Sequence, residues 1–331
     1  MKIVHVRDVA HTSSTLVEGL NTLGHQAEVL PATTGRHQYR LRYAKVLSLP
    51  RRALELRRVN RYIRQRGFDV VHIHLASLGW LGIVGRYPYF LHCHGYDIWS
   101  HLRRPMLRRL TLWGLRRAER VFYATPDLAA DTQQVRSDAA FFPIPVDTER
   151  FRPLAGLGHE GPPRVLLISR IWDIKGVDVA FAIIARFKRR RPEVLVDALA
   201  AGPHLRLYRG NTYVNFLPRV PYEEMPTFIN RYDVVIGQFR LGIMSTSELE
   251  SMACGKPVVS YFSYPQFYDE PPPLYSTNDV EMAAEYLTAL VGDPALRRQA
   301  GEQGREWVLR HHNYLDAART LEAEYAAMAG P

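Results

Sequence analysis

Residues 166–184 read LLISRIWDIKGVDVAFAII, and the change of pattern inside them decides the fold. Residues 165–168 form a short apolar run of the kind buried on both faces of a parallel sheet, and residues 177–187 then follow a helical period. Arg170 and Lys175 therefore fall at the carboxyl end of a strand, in the loop that opens a helix. Ligands of open α/β sheets bind at that edge, where a helix amino terminus adds unpaired amide donors and partial positive charge. An anion is the natural occupant. Arg170 offers a planar fork for two phosphate oxygens, and Lys175 offers a mobile point charge. Taken alone, the two also read as solvated surface cations.

Two further stretches give them company. Residues 213–239 read YVNFLPRVPYEEMPTFINRYDVVIGQF, another strand-and-helix passage, and residues 241–259 read LGIMSTSELESMACGKPVV. In the last, Met244, Ser245, Thr246 and Ser247 make a polar turn before a helix that the Gly255-Lys256-Pro257 stop signal ends, and a strand follows. This is a second strand-loop-helix corner. Glu250 lies on its first helical turn, and a carboxylate that accepts two hydroxyl hydrogens is a common way to hold a ribose. Glu248 is the alternative carboxylate, but Ser245 and Glu248 also fit a capping box, in which the glutamate serves its own backbone.

These stretches together resemble the carboxyl-domain pattern of the retaining glycosyltransferases of family four. The family's GR-x4-KG is matched by SRIWDIKG at 169–176, its V-x-F-x-G by VNFLP at 214–218, and its E-A-M-A-C-G-x-P-V-V by ESMACGKPVV at 250–259. The likeness continues outside that region. PIPVDTERFRP at 143–153 is similar to the family's interdomain segment, FDVVHIH at 68–74 and LHCHGYDIW at 91–99 to two amino-domain strands, and residues 293–325 to its closing helices. The resemblance implies an α/β chain with the GT-B fold, two Rossmann-like domains whose parallel sheets face a central cleft. The expected division is an acceptor-side domain over 1–152, a donor-side domain over 153–312, and a last helix over 313–331 that crosses back to the first domain. Residues 154–163 read as the flexible connection.

Three positions depart from the family. Gly242 stands eight residues before Glu250, where the first glutamate of E-x7-E is usual, so either another group in GIMSTSE takes its place or the chain binds nucleotide without transferring sugar. Ile144-Pro145 replaces Asn-Gly in the interdomain turn. The first loop, RDVAHTSSTLVEGL at 7–20, lacks the usual paired glycines. His11, Thr12 and Ser13 are its candidates for ligand contact, with the alternative that Thr12 caps a helix beginning near Ser14.

Composition fits a globular enzyme of two domains, since 331 residues exceed the size at which one core stops growing. Two cysteines, Cys93 and Cys254, give no disulfide framework and suit a reducing compartment. The start MKIVHV reads as a strand, and no apolar run reaches the roughly 18 residues of a spanning helix. The expected location is cytoplasmic, or peripheral on the cytoplasmic face of a membrane.

Charge is unevenly placed. Residues 1–150 hold 23 Lys+Arg against 12 Asp+Glu, while the remainder holds 20 against 21. The excess gathers in residues 36–66 and 101–120, where arginine alternates with leucine, tyrosine and tryptophan at helical spacing. A solvated helix face, an anionic membrane surface and nucleic acid are the three possible readings. No recognition motif supports nucleic acid.

Histidine alternates at 72 and 74 and again at 92 and 94, each pair on one strand face. No carboxylate or cysteine set at ligand spacing joins them, so they read as hydrogen-bonded strand residues and not as a zinc site. His94 is different, because it precedes Gly95-Tyr96-Asp97 at a strand end. The resemblance makes His94 a donor-sugar contact and, with Arg170 and Lys175, a catalytic candidate; Asp97 orients the loop or caps the helix that follows.

The resemblance also implies the partners and the chemistry: a nucleotide-diphosphate-sugar donor, a hydroxyl acceptor that is lipid-linked in many relatives, retention at the anomeric carbon, and no cofactor or metal. A non-catalytic nucleotide-binding subunit and a basic surface-binding protein are the alternatives.

Overall fold

The computed structural model describes residues 1–31, 49–157 and 161–329. Part of the basic stretch expected at 36–66 and part of the connection at 154–163 thus lie outside the described residues. In chain order the strands are β1 (Lys2–Val6), β2 (Gln26–Leu30), β3 (Val70–His74), β4 (Phe90–Cys93), β5 (Arg120–Tyr123), β6 (Ala140–Phe141), β7 (Arg164–Leu167), β8 (Leu195–Leu199), β9 (Asn215–Leu217), β10 (Val234–Ile236), β11 (Val258–Ser260) and β12 (Tyr275–Ser276). The longer helices are α1 (Thr12–Thr22), α2 (Leu49–Arg66), α3 (Pro105–Arg117), α4 (Val177–Arg190), α5 (Thr246–Ala253), α6 (Val280–Gly292), α7 (Pro294–His311) and α8 (Tyr314–Ala329).

The chain forms two compact units, Met1–Pro145 with Tyr314–Pro331, and Val146–Asn313. Passage between them falls at Pro145, ahead of the boundary expected at 152. The physical reason is that Val146 already belongs to the second unit. Its amide donates to the carbonyl of His312 at 2.7 Å and it bridges Asn313, while the Asp147 carboxylate takes the amides of Glu149 and Arg150.

In the first unit the sheet order is β2-β1-β3-β4-β5-β6, all parallel. The middle strands are apolar or histidine at nearly every position, as strands covered on both faces must be. Helix α8 supplies part of that cover: Ala318, Leu321 and Tyr325 are buried with Ile3, Leu16, Leu20, Phe90 and Phe122. Gly19 on α1 allows the close approach, since a Cβ there would stand 2.8 Å from that of Ala318.

In the second unit the order is β12-β11-β10-β7-β8-β9, again parallel throughout. Its core joins Val165, Leu167, Ile183, Ile184 and Phe187 to Val234, Ile236, Leu287 and Leu290, so α4 and α6 pack over the sheet centre. The segment after β11, residues 262–275, is fastened to α7. The Tyr268 ring lies 4.9 Å from that of Trp307, and the Trp307 indole N–H donates to the carbonyl of Glu270.

Each sheet reverses its strand order once. In the first unit β1 leads left to β2 and right to β3; in the second, β7 leads to β8 on one side and β10 lies on the other. At such a reversal the two crossovers diverge, which leaves the carboxyl ends of the paired strands open for ligand.

Candidate functional site

In the second unit the reversal lies between β7 and β10, and the loops that leave them carry the residues singled out by sequence. After β7 the chain runs through Ser169 and Arg170 and then tucks in Ile171, which is fully buried; its amide donates to Ala201 and its carbonyl accepts from His204. A single turn over Asp173–Lys175 follows, and Gly176 adopts φ 69° to start α4. Only glycine suits this position, since its conformation is left-handed and a Cβ would come within 3.1 Å of the Phe239–Arg240 backbone. Arg170 is exposed at the rim, its guanidinium 5.8 Å from the Trp172 ring. Lys175 is half-buried, and its carbonyl accepts the amide of Phe239 at 3.0 Å, which ties the first loop to the second.

The second loop is braced by Glu248, a fully buried carboxylate. One oxygen accepts the Gln238 amide at 2.8 Å; the other accepts the Ser245 amide and hydroxyl at 2.6 Å each. The capping box expected from Ser245 and Glu248 is present, and it reaches further than expected, to the chain leaving β10. Gln238 adds a bond from its side-chain amide to the carbonyl of Ile243. Met244 is buried, while Ser245, Thr246 and Ser247 are half-buried at the start of α5, whose opening amides are available to an anion.

Gly242 has φ 66°, and a Cβ built on it would lie 2.2 Å from the hydroxyl oxygen of Ser263. A glutamate at this position thus meets both backbone strain and a steric block. The Ser263 amide also donates to the Gly242 carbonyl, which holds the turn closed.

Glu250 is buried on α5, and its Oε1 has no hydrogen-bond partner among the described residues. Burial pushes its carboxyl up to about 8, against a hydrogen bond from Tyr222 and the nearby charge of Arg150. Oε1 is thus left short of a hydrogen-bond partner at a buried position, which carries a desolvation cost. Asn215, at the start of β9, spends its side-chain amide on Asp197 at 3.1 Å.

In the first unit the reversal lies between β1 and β3, with β4 next. His94 leaves β4, and Asp97 ties the strand exits together: its two oxygens accept the amides of His94 at 3.0 Å and Ala76 at 2.7 Å. Asp97 is fully buried and spends both oxygens on orienting the loop. Gly95, at φ 112°, opens the short helix Tyr96–Trp99.

The loop after β1 differs from expectation. Helix α1 begins at Thr12 and not near Ser14, and Thr12 does not cap it. The Asp8 carboxylate, which the sequence reading passed over, takes the amides of Ser13 and Ser14. Thr12 and Ser13 are buried, and the Ser13 hydroxyl donates to the Arg7 carbonyl. Of the three candidates in this loop, His11 alone is exposed, 3.9 Å from Asp8. Arg7, Ala10 and His11 have positive φ, at about 1–3 kcal/mol each, a strain that gathers where function holds a loop in place.

The model for Glycosyltransferase Family 4 matches residues 9–150, and a Glycosyl transferase-like model matches 187–323. A GDP-mannose-dependent alpha-(1-6)-phosphatidylinositol monomannoside mannosyltransferase of Mycolicibacterium smegmatis is 28% identical over 190 residues, 51% of this chain and 48% of that protein. A 2-deoxystreptamine glucosyltransferase of Streptomyces kanamyceticus is 23% identical over 79% of this chain and 78% of that one. The chain thus spans about half the length of the first relative and over three quarters of the second. Among solved structures, sucrose-phosphate synthase from Thermosynechococcus elongatus superposes with a TM-score of 0.75 at 18% identity, covering 99% of both chains. HepE of Anabaena in complex with UDP-glucose gives 0.74 at 13%, covering 99% of this chain and 100% of that one.

The pH dependence of stability tests the state of Glu250. Its folded value near 8 exceeds its ordinary 4.5, so the folded chain keeps a proton that the unfolded chain loses over that window. Stability from this group is therefore full below about 4.5 and declines as pH rises to 8, by about 1.4 kcal/mol per unit of the difference. Glu250→Gln keeps a neutral side chain, so its thermal midpoint should equal that of the native chain near pH 5 and exceed it at pH 8.5. Parallel curves for the two proteins would show that the carboxyl is not held protonated.

With both family models matched and the two sheets carrying their loops at the strand-order reversals, the chain belongs to the GT-B glycosyltransferases of family four.

Proposed function

We propose that this glycosyltransferase moves a hexose from a nucleotide-diphosphate sugar to a hydroxyl acceptor, with retention at the anomeric carbon and without a metal. One observation carries the reading: at the reversal between β7 and β10, the Arg170–Lys175 loop, the opening amides of α5 and the under-bonded carboxyl of Glu250 belong to one bonded framework. A nucleoside diphosphate asks for these groups, cations and amides for the phosphates and a carboxyl for the ribose.

The hard step in such a transfer is departure of a diphosphate that gains negative charge. Arg170 and Lys175 supply fixed positive charge there, and the amides of Thr246 and Ser247 add neutral donors. Loss of one such stabiliser typically costs about 3–4 kcal/mol, a few hundredfold in rate. Front-face attack, with the leaving phosphate oxygen accepting the proton of the attacking hydroxyl, needs no carboxylate nucleophile. The glycine at 242 is compatible with that route. His94, half-buried at the end of β4, is assigned a hydrogen bond to substrate.

The acceptor is proposed to lie at an anionic membrane surface. Helix α3 and the residues before it expose Arg103, Arg104, Arg108, Arg109, Arg116 and Arg117, together with Met106 at 78% and Trp113 at 44% exposure. Each such cation contributes about 1 kcal/mol near anionic lipid, and the apolar pair suits the interface. Among the described residues no helix is long and apolar enough to cross a membrane. The mycobacterial relative is named for a phosphatidylinositol mannoside acceptor, in keeping with this placement.

Thermal-shift titration with UDP, GDP, ADP, CDP and dTDP tests the donor site. One nucleotide at about 100 times its dissociation constant should stabilise the protein by about 2.7 kcal/mol, and Arg170→Ala and Lys175→Ala should each lose most of that shift. If neither substitution altered the response, the diphosphate would bind elsewhere. For the acceptor side, phosphatidylglycerol vesicles should sediment the protein at low salt, less so at about 1 M salt, and less with Met106 and Trp113 changed to serine. Binding to oligonucleotides with no binding to vesicles would reject the membrane placement.

A further inference from the structure

Strands β1, β3 and β4 bring five histidines together on one sheet face. His5, His72, His74 and His92 are fully buried, and His94 is half-buried at the carboxyl edge. Four of the five rings and one tyrosine form an unbroken line of hydrogen bonds. His94 Nε2 faces His74 Nδ1 at 2.9 Å, His74 Nε2 faces His5 Nδ1 at 3.0 Å, His5 Nε2 faces the Tyr325 hydroxyl at 3.3 Å, and that hydroxyl faces His72 Nδ1 at 2.6 Å. The ring centroids of His94 and His74, and of His74 and His5, are each 5.1 Å apart. Tyr325 comes from α8.

A neutral imidazole has one N–H and one lone pair, so the run of three directly linked rings is directional: His94, His74 and His5 must all donate in the same sense. Burial keeps the rings neutral, with His5 and His94 both pushed down to about 3. The tyrosine decides the sense. A hydroxyl donates comfortably at about 2.5–3.0 Å, whereas an N–H donor sits at about 2.7–3.2 Å. The 2.6 Å contact therefore suits the Tyr325 hydroxyl donating to His72, and the 3.3 Å contact suits His5 donating to the hydroxyl oxygen. His74 then donates to His5 from Nε2, and His94 donates to His74 from Nε2.

We propose that His74, His5, Tyr325 and His72 act as positioning residues that fix His94 as the Nε2–H tautomer, so that its Nδ1 lone pair accepts a hydrogen bond from a substrate hydroxyl. Nδ1 of His94 has no hydrogen-bond partner among the described residues. The ladder stands on geometry alone, and only the nature of what His94 contacts rests on the glycosyl-transfer reading. A metal ion is the competing use of these rings, because His5, His72 and His74, and likewise His74, His92 and His94, offer ligand atoms within 4.8 Å of one another, and among the described residues neither ring nitrogen of His92 is hydrogen-bonded. The spacing favours the ladder. Three nitrogens around a tetrahedral zinc, at about 2.05 Å each, stand about 3.3 Å apart, whereas His74 and His94 meet at a hydrogen-bonding distance with their nitrogens facing each other.

The test is long-range proton–nitrogen correlation NMR on protein carrying nitrogen-15 histidine, with metal content measured on the same sample. The native chain should show His94 protonated on Nε2 and bare on Nδ1, with no stoichiometric metal. Tyr325→Phe, which removes the hydroxyl that sets the sense, should give mixed tautomers at His94 and a loss of about two- to tenfold in turnover, with the nucleotide-induced thermal shift unchanged. Protonation of His94 on Nδ1 in the native chain, one metal per chain, or a folded Tyr325→Phe protein with His94 unaltered would each overturn the proposal. The native spectrum decides the tautomer even if the variant does not fold. Nε2–H at His94 in a protein with no affinity for any nucleotide would reject the glycosyl-transfer reading and leave the ladder standing; nucleotide binding with the opposite tautomer would do the reverse.

Discussion

A parallel sheet whose strand order reverses must send its two crossovers in opposite directions, and this constraint organises both units of the chain. In the second unit it places the exits of β7 and β10 side by side. The groups at those exits come from positions far apart in sequence, yet the β7–β10 pairing, in which Val234 to Ile236 register with Val165 to Leu167, sets their separation. In the first unit the same reversal sets the exits of β1 and β3 together, with His94 one strand further along.

Open strand ends alone would leave flexible loops, and most of the polar residues near the reversals serve to prevent that. Glu248 spends both carboxylate oxygens on the turn between β10 and α5. Asp97 spends both of its own on the exits of β3 and β4, and Asp8 holds the first turn of α1. A buried carboxylate with its hydrogen bonds satisfied fixes a loop firmly, whereas one left short of partners carries a desolvation cost. Glu250 is in the second condition. The contrast between two glutamates on one short helix separates a structural carboxylate from one suited to ligand.

The sequence made some of this legible and not the rest. Arg170, Lys175 and Gly176 were readable because a charge pair and a glycine sat where an apolar strand gave way to a helical period. The Ser245–Glu248 cap was readable because its spacing is local. The second bond of Glu248, to the Gln238 amide, was not, because it depends on how the intervening loop folds back. Asp8 was missed for a related reason: it caps from outside the helix, five residues before Ser13. The alternation of His72 with His74 and of His92 with His94 showed which faces they share, but not that strand register would set them beside His5, nor that Tyr325 would arrive from the last helix. The steric block at Gly242 likewise comes from Ser263, on the segment that follows β11.

The central claim is that the framework around the β7–β10 reversal holds a nucleoside diphosphate, and a crystal structure with the preferred nucleotide bound tests it most directly. The account predicts phosphate oxygens within hydrogen-bonding distance of Arg170, Lys175 and the amides opening α5, with the ribose hydroxyls on Glu250. A nucleotide bound away from these groups, or one that leaves Glu250 without a new partner, would contradict it.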